Sequence, residues 1–416
     1  MRLGVYSEQL YQSDGDTVYT HRAFIRFVTA LPPRVEEVVV FGRLDPTPAT
    51  GPYALPKDGV RFVPLPYYPN VRAIGGLVRA VRRAAKVFAT ELEELDAVWI
   101  FGPHPLAVLF ARIAQRRGTP LILGVRQDYP AYIGNRLPGR LWAWAVPVAH
   151  GLERVFRLHS RRSPTVALGE EIAANYGGGA APVLSTGFSL IPRQELVQLD
   201  EALAKSWDRP IRVLSVGRLD SEKNPLLLVE VAAILQERQP GAWRIAVAGD
   251  GPLREALEQR IAERGVADVV ELLGYVPNGP ELWREYRRSH AFLHVSLTEG
   301  LPQVLFEAQG SGLPVVATDV GGVSAAVGRG ASALLMGPND PRAAADALIS
   351  LAADPDERTR LIAAGLANAE EQTMEAQLDR VAAFVRAAAG HGSGGQAKKN
   401  RNARKPSEPS NPADAA

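Results

Sequence analysis

From Ile211 onward the chain alternates short β-branched runs (IRVLSV, WRIAVAG, VVELLG, AFLHVS and PVVAT) with helical stretches over 225–238, 253–264, 279–289 and 303–310. Strand, helix, strand at this spacing admits few folds: it is the signature of βαβ units and a parallel sheet. The first half repeats the scheme less regularly, with strand-like runs near 2–7, 37–42, 60–65, 96–101, 120–125, 165–168 and 182–185. The expected fold class is therefore α/β, with two Rossmann-like parallel-sheet domains.

A length of 416 residues fits that reading, because it exceeds what one hydrophobic core usually serves. The boundary is expected near 187–210, where GFSLIPRQE leads into the charged stretch KSWDRP. After the last helical pattern, which ends near Ala389, residues 390–416 are rich in Gly, Pro, Ser and Lys and are expected to be a disordered basic tail. The chain has no cysteine, which excludes disulfides, thiolate nucleophiles and cysteine-ligated metal. Its seven histidines form no HExxH or comparable pattern, so no metal site is expected. MRLGVYS enters a strand at once, without the segments of a signal peptide, and no apolar run approaches the roughly 20 residues of a membrane span. The expected location is cytoplasmic. The net charge of +2 hides an asymmetry: residues 1–190 carry about +7 and residues 191–389 about −8.

In an open parallel sheet, ligands bind beyond the carboxyl ends of the strands, so the segments that follow each strand carry the functional expectations. After IRVLSV comes GRLDSEKN, which presents Arg218 and Lys223 ahead of a helix start at Pro225. A guanidinium, an ammonium and free helix amides suit a diphosphate, although both side chains also fit a solvated loop, with Arg218 paired to Asp220. After WRIAVAG comes DGPLREAL, where Gly249 and Gly251 allow a tight turn and Asp250 is placed to cap the helix. After AFLHVS comes EGLPQVLFEAQGSGLPVVATDVGG, with Glu299 in the loop, a helix start near Pro302, and Glu307 on the second turn. The amides of Gln303, Val304 and Leu305 would face a phosphate, and each carboxylate suits vicinal hydroxyls. The alternative is that Glu299 and Glu307 are surface glutamates flanking an apolar helix face.

The ordered set VGRLDSEKN, VAGDGPLREAL, LLGYVP and EGLPQVLFEAQGSGLPVVATDVGG resembles the GT-B fold glycosyltransferases, specifically the retaining family 4. The resemblance covers the second half almost completely and the first half only in its strand pattern. It implies two Rossmann-like domains facing a central cleft: an acceptor domain over 1–190, a nucleotide-sugar donor domain over 191–372, and a helix over 373–389 packing back on the first domain. It further implies that Arg218 and Lys223 hold the donor diphosphate and stabilise the departing nucleotide. By the same resemblance Glu307 holds the ribose, Glu299 faces the donor sugar, and the backbone around Tyr275 and Val276 frames the base. No cofactor or metal is expected.

The family also implies a glycine-rich loop after the first strand. This chain offers SEQLYQSDGDTVYTH instead, where Gly15 would bring backbone amides to phosphate and a helix would start at about Thr17. His104, after the strand LDAVWIF, resembles the family histidine near the reacting face of the donor sugar; a bland loop histidine is the other reading. Arg126, Gln127 and Asp128 follow PLILGV and would line the acceptor side. Two basic segments, 74–88 (Arg79, Arg82, Arg83, Lys86) and 140–162 (Trp142, Trp144, Arg154, Arg157, Arg161, Arg162), suit peripheral contact with the inner membrane face, or else are helices with a solvated basic side. No nucleic-acid motif accompanies this charge. The expected function is a metal-independent retaining glycosyltransferase that moves a sugar from a nucleoside-diphosphate donor to a hydroxyl acceptor, whether glycan, lipid-linked sugar or small molecule. Two alternatives stand: a GT-B nucleotide-sugar epimerase, and a non-catalytic nucleotide-sugar-binding scaffold.

Overall fold

The computed structural model describes residues 1–32, 34–68, 74–136 and 144–393. The first half supplies β1 (Arg2–Ser13), β2 (Val18–Thr20), β3 (Glu37–Leu44), β4 (Tyr53–Ala54), β5 (Val60–Leu65), β6 (Ala97–Gly102), β7 (Leu121–Val125), β8 (Thr165–Leu168) and β9 (Val183–Thr186). Its helices are α1 (Phe24–Thr29), α2 (Ile74–Glu91), α3 (Pro105–Arg117), α4 (Tyr129–Arg136), α5 (Ala145–Ser160) and α6 (Gly169–Tyr176). The strands pair in parallel in the order β5-β3-β1-β6-β7-β8-β9, while β2 and β4 add antiparallel at the far end of β1.

The second half contributes β10 (Ile211–Val216), β11 (Trp243–Ala248), β12 (Val270–Gly274), β13 (Ala291–His294), β14 (Val315–Thr318) and β15 (Ala333–Met336). With them run α7 (Leu199–Leu203), α8 (Leu226–Arg238), α9 (Arg254–Arg264), α10 (Pro280–Arg288), α11 (Gln303–Gly310), α12 (Val323–Ala326), α13 (Pro341–Ala353), α14 (Pro355–Glu371) and α15 (Met374–Ser393). All six strands are parallel, in the order β12-β11-β10-β13-β14-β15. Both faces of such a sheet are covered by helices, which is why its strands are mostly apolar and the VVAT of β14 is fully buried.

The chain crosses from one core to the other between Leu190, packed with the first sheet, and Ile191, packed with the second. It crosses back at Met374, whose amide donates to the Ile191 carbonyl at 2.8 Å. Gln377 on α15 ties the two crossings together, because its Oε1 accepts from Thr186 Oγ1 at 2.5 Å and from the Gly187 amide at 3.3 Å. Leu378, Val381, Ala382 and Val385 of α15 complete the core of the first sheet. This helix runs to Ser393, past the expected end near 389; the rest of the tail lies outside the described residues.

The first strand departs from the reading of the sequence. β1 continues to Ser13 through a bulge between Tyr6 and Leu10, where four steps along β1 oppose two along β3. The three residues of this stretch, Ser7, Glu8 and Gln9, lie opposite the single Gly42 and line the cleft, as bulges beside sites commonly do. The helix expected from Thr17 is instead the short strand β2, paired with β1; Val18 and Thr20, both β-branched, favour that state.

Candidate active site between the two sheets

Both sheets reverse strand order at one point, between β1 and β6 in the first and between β10 and β13 in the second. A crevice opens at such switch points. Residues from the ends of these four strands meet there.

The loops after β10, β11 and β12 are laced by backbone hydrogen bonds: Gly217 to Ala248 at 3.0 Å, Leu219 to Asp250 at 2.9 Å, and Gly249 to Gly274 at 2.7 Å. Their approach is so close that a Cβ on Gly249 would lie 1.8 Å from the Gly217 carbonyl oxygen. The same device sets the loop after β13, where a Cβ on Gly322 would lie 1.6 Å from the Gly300 oxygen. Asp250 does not cap α9, as the sequence suggested: its Oδ1 accepts from the adjacent Gly251 amide, and α9 begins only after Leu253.

This framework holds a cavity of about 390 Å³ between the halves, lined by Arg126 and Leu168 on one side and by Arg218, Lys223, His294 and Glu299 among others on the opposite side. Glu299 Oε1 takes three donors: Lys223 Nζ at 2.7 Å, His294 Nε2 at 2.9 Å and Ser296 Oγ at 2.7 Å. Its other oxygen makes no hydrogen bond to a described residue. Burial alone would raise this carboxyl, but the His294 hydrogen bond and the Lys223 charge outweigh it and hold the group down to about 2. A fixed carboxylate with one oxygen in reserve can accept a ligand hydroxyl.

Arg218 sits beside this cluster but is engaged elsewhere, with Asp220 at 2.5 Å and with Glu222. Its side chain is 53% exposed, whereas that of Lys223 is 23% exposed. Gln303 and Val304 line the cavity at the amino end of α11. Leu305 does not: its side chain is fully buried in the core and its amide donates to the Pro302 carbonyl at 3.3 Å. Among the described residues, His294 Nδ1 and Gln303 Oε1, on cavity-lining residues, and Asp220 Oδ1, in the loop after β10, are buried without a hydrogen-bond partner. His294 and Gln303 line the cavity, and an unsatisfied polar atom on such a residue marks where a polar ligand would supply a partner.

Glu307 is not a surface glutamate either. It is 4% exposed, and its oxygens accept from Asn278 Nδ2 and Tyr286 OH, both at 2.9 Å. Burial dominates here and raises its carboxyl to about 7. Asn278 is in turn held from the first sheet: Arg26 donates to its carbonyl at 2.8 Å and to its side-chain oxygen, and its amide donates to Tyr53 OH at 2.9 Å. Tyr53 OH also lies 3.2 Å from the OH of Tyr275, which stands 53% exposed after β12, with Val276 half-buried behind it.

On the first sheet, His104 caps α3: its Nδ1 accepts from the Leu106 amide at 3.3 Å, which leaves the proton on Nε2. Burial lowers its pKa, against the raising effect of Glu8, whose Oε2 is 3.3 Å from Nδ1. Glu8 is itself bound by Arg43 and Tyr6. Arg126 lies over the Phe24 ring, 3.9 Å from its centroid. Enclosure in the cleft and the charge of Arg22 pull its pKa down, yet its surface stays open to solvent, so it is charged at neutral pH. Gly15 is not near the cavity: it occupies the exposed tip of the β1–β2 hairpin at φ +104°, with nothing within 4 Å of an added Cβ. Local pattern could not have found Glu8, Arg26, Arg43, Tyr53 or Asn278, because their partners come from distant parts of the chain.

Arg79, Arg82, Arg83 and Lys86 lie on the exposed side of α2. Arg154 and Arg161 share an exposed face with Leu158, while Arg157 pairs with Glu153 at 2.8 Å. Trp142 lies outside the described residues. Among the described residues no helix is long and apolar enough to cross a membrane, and no three or more His, Asp or Glu side chains gather as metal ligands.

Residues 201–367 match the family model for glycosyl transferases group 1, and residues 20–184 match that for the glycosyl transferase 4-like domain. Together the two take in well over half of the chain. The chain belongs to the group 1 glycosyl transferases. A D-inositol 3-phosphate glycosyltransferase of Corynebacterium urealyticum is 40% identical over 151 residues, an alignment that covers 34% of this chain and only 35% of the relative. Sucrose-phosphate synthase from Thermosynechococcus elongatus superimposes with a TM-score of 0.67 at 18% identity, over 97% of this chain and 99% of that one. Anabaena HepE in complex with UDP-glucose gives 0.66 at 17% identity, over 93% and 100%. These likenesses show the GT-B fold.

Proposed function

We propose that the chain transfers a sugar from a nucleoside-diphosphate sugar to a hydroxyl acceptor with retention of configuration. The observation that carries this reading is the meeting of Lys223 and Glu299 at the amino end of α11, with one Glu299 oxygen free of protein donors. Lys223 is the point charge for the diphosphate, and Arg218, once released from Asp220 and Glu222, grips two of its oxygens. The first amides of α11 add positive potential at the same place. Charge that grows on the leaving diphosphate is thus met by the chain's own groups, and no metal is required.

Glu299 accepts a hydroxyl of the donor sugar through its free oxygen and fixes the anomeric carbon toward the first sheet. Glu307 takes the ribose hydroxyls in exchange for Asn278, and the backbone at Tyr275 and Val276 frames the base. The bond from the anomeric carbon to the diphosphate breaks as the acceptor oxygen bonds to that carbon on the same face. The acceptor proton passes to the departing phosphate oxygen. His104, neutral and with its Nε2 proton available, orients a hydroxyl on the first-sheet side. For a lipid-linked acceptor, the exposed basic faces of α2 and α5 supply contact with an anionic surface.

The test is thermal stability in EDTA with a panel of nucleoside diphosphates and nucleotide sugars, beginning with uridine, because HepE was captured with UDP-glucose. A ligand at 100 times its dissociation constant stabilises by about 2.7 kcal/mol. A shift with one base that is lost in Arg218→Ala and Lys223→Ala is expected. No shift with any nucleotide would overturn the reading.

A further inference from the structure

Beside the donor cavity lies a second one, about 460 Å³, whose lining includes Ser7, Gln9, Arg22, His104, Arg126 and Arg218. Its charges do not cancel. Glu8, which also lines it, is bound by Arg43, and Arg218 is bound by Asp220 and Glu222. Arg22 and Arg126 have no carboxylate within ion-pair distance among the described residues. They come from different elements, Arg22 from the turn between β2 and α1 and Arg126 from the end of β7, and the charge of Arg22 acts on Arg126.

Two guanidiniums facing one cavity without a counter-ion repel each other, and an oxyanion between them would relieve that repulsion while accepting from both forks. The Phe24 ring lies 3.9 Å beneath the Arg126 Cζ, and among the described residues no hydrogen bond takes up the guanidinium's N–H groups. Arg126 also lines the donor cavity, so an occupant of the second cavity lies next to the donor's reacting end. We propose that Arg22 and Arg126 form an anion subsite that selects an acceptor carrying a phosphate ester beside the hydroxyl to be glycosylated. The proposal rests on the transferase reading above. Arg22 separates the two, because it lines the second cavity and not the donor cavity.

The experiment uses the full chain in EDTA, saturated with whichever nucleoside diphosphate the panel selects. Inorganic phosphate is titrated in at constant ionic strength and followed by phosphorus NMR line broadening. Saturable binding is expected, weakened at least tenfold in Arg22→Gln and in Arg126→Gln, with nucleotide affinity within twofold of wild type in Arg22→Gln. Arg22 is exposed, so its substitution leaves the fold intact. Two further arms identify the source: competition by glucose 6-phosphate, and co-sedimentation with vesicles containing phosphatidic acid, each compared with Arg22→Gln. Arg22-dependent binding in the first arm assigns a soluble sugar phosphate, and in the second a lipid-linked phosphate. Phosphate binding that is equal in wild type and both variants, or that extends to neither ester, means an adventitious ion only and overturns the subsite. If no nucleotide binds but phosphate still binds through Arg22, the donor reading fails and the subsite stands.

Discussion

Glu307→Gln isolates the energetics of the buried carboxyl beneath Asn278. The ordinary glutamate value is 4.5 and burial raises it to about 7, so the folded protein binds an extra proton between those limits. Stability from this group is therefore complete below about pH 4.5 and is lost as pH rises through about 7. A tenfold difference in proton affinity between the folded and unfolded chain is worth about 1.4 kcal/mol, so ionising Glu307 costs about 3 kcal/mol in the folded state above pH 7. Glutamine keeps an oxygen for Asn278 and carries no charge. The variant should match wild type at pH 4.5, gain on it steadily to pH 7, and stay ahead by about 3 kcal/mol at pH 8. For a domain of roughly 150 to 250 residues that corresponds to roughly 6–12 °C in the melting temperature. The assay is thermal unfolding of both proteins across pH 4.5 to 8.5 without nucleotide. Curves that run parallel over that range would refute the burial argument.

Glu299 should behave in the opposite sense. Its carboxyl is held near 2, so its contribution is present above pH 4.5 and lost as pH falls toward 2, and acid unfolding of Glu299→Gln should be less steep than that of wild type. The same variant should lose about 100-fold in turnover, the equivalent of one charge-assisted hydrogen bond, with nucleotide affinity little changed; retained turnover would rule out a charge-dependent role. Gly322→Ala places a methyl against the Gly300 oxygen and should abolish nucleotide-dependent stabilisation while lowering the melting temperature, measured in one thermal-shift series. Tyr53→Phe with Arg26→Ala removes the hydrogen bonds from the first sheet to Asn278, each worth about 1 kcal/mol. Small-angle scattering should then show a larger radius of gyration, and an unchanged radius would mean that these bonds do not hold the cleft closed.

The second sheet was legible because each strand is a short, mostly apolar run and each cavity-lining loop follows its strand directly in the chain. Arg218, Lys223, Glu299, Gln303 and Val304 meet at one cavity for that reason. Leu305 was misplaced because a helix amide and its side chain face different ways, and here the side chain went to the core. The first half was harder to read. Residues 7–13 read as a polar loop, yet the bulge turns Ser7, Glu8 and Gln9 into the cleft while Tyr11 is fully buried. A glycine at 15 looked like a phosphate loop, but Asp14 Oδ1 accepts the Asp16 and Thr17 amides and closes a hairpin turn instead. Tyr53 with Asn278 and Arg26 with Asn278 are 225 and 252 residues apart, beyond any local pattern.

The glycine contacts at 217, 249, 300 and 322 have a consequence for how such a protein can change. The floor under the cavity between the sheets is bare main chain packed on main chain, with no volume left for even one added methyl at Gly249 or Gly322. Room for side-chain change lies in the walls instead, at positions such as Arg126, Leu168, Leu301 and Gln303. A mutational library aimed at the ligand should vary those and leave Gly249 and Gly322 untouched, since a side chain at either must push the opposing main chain away.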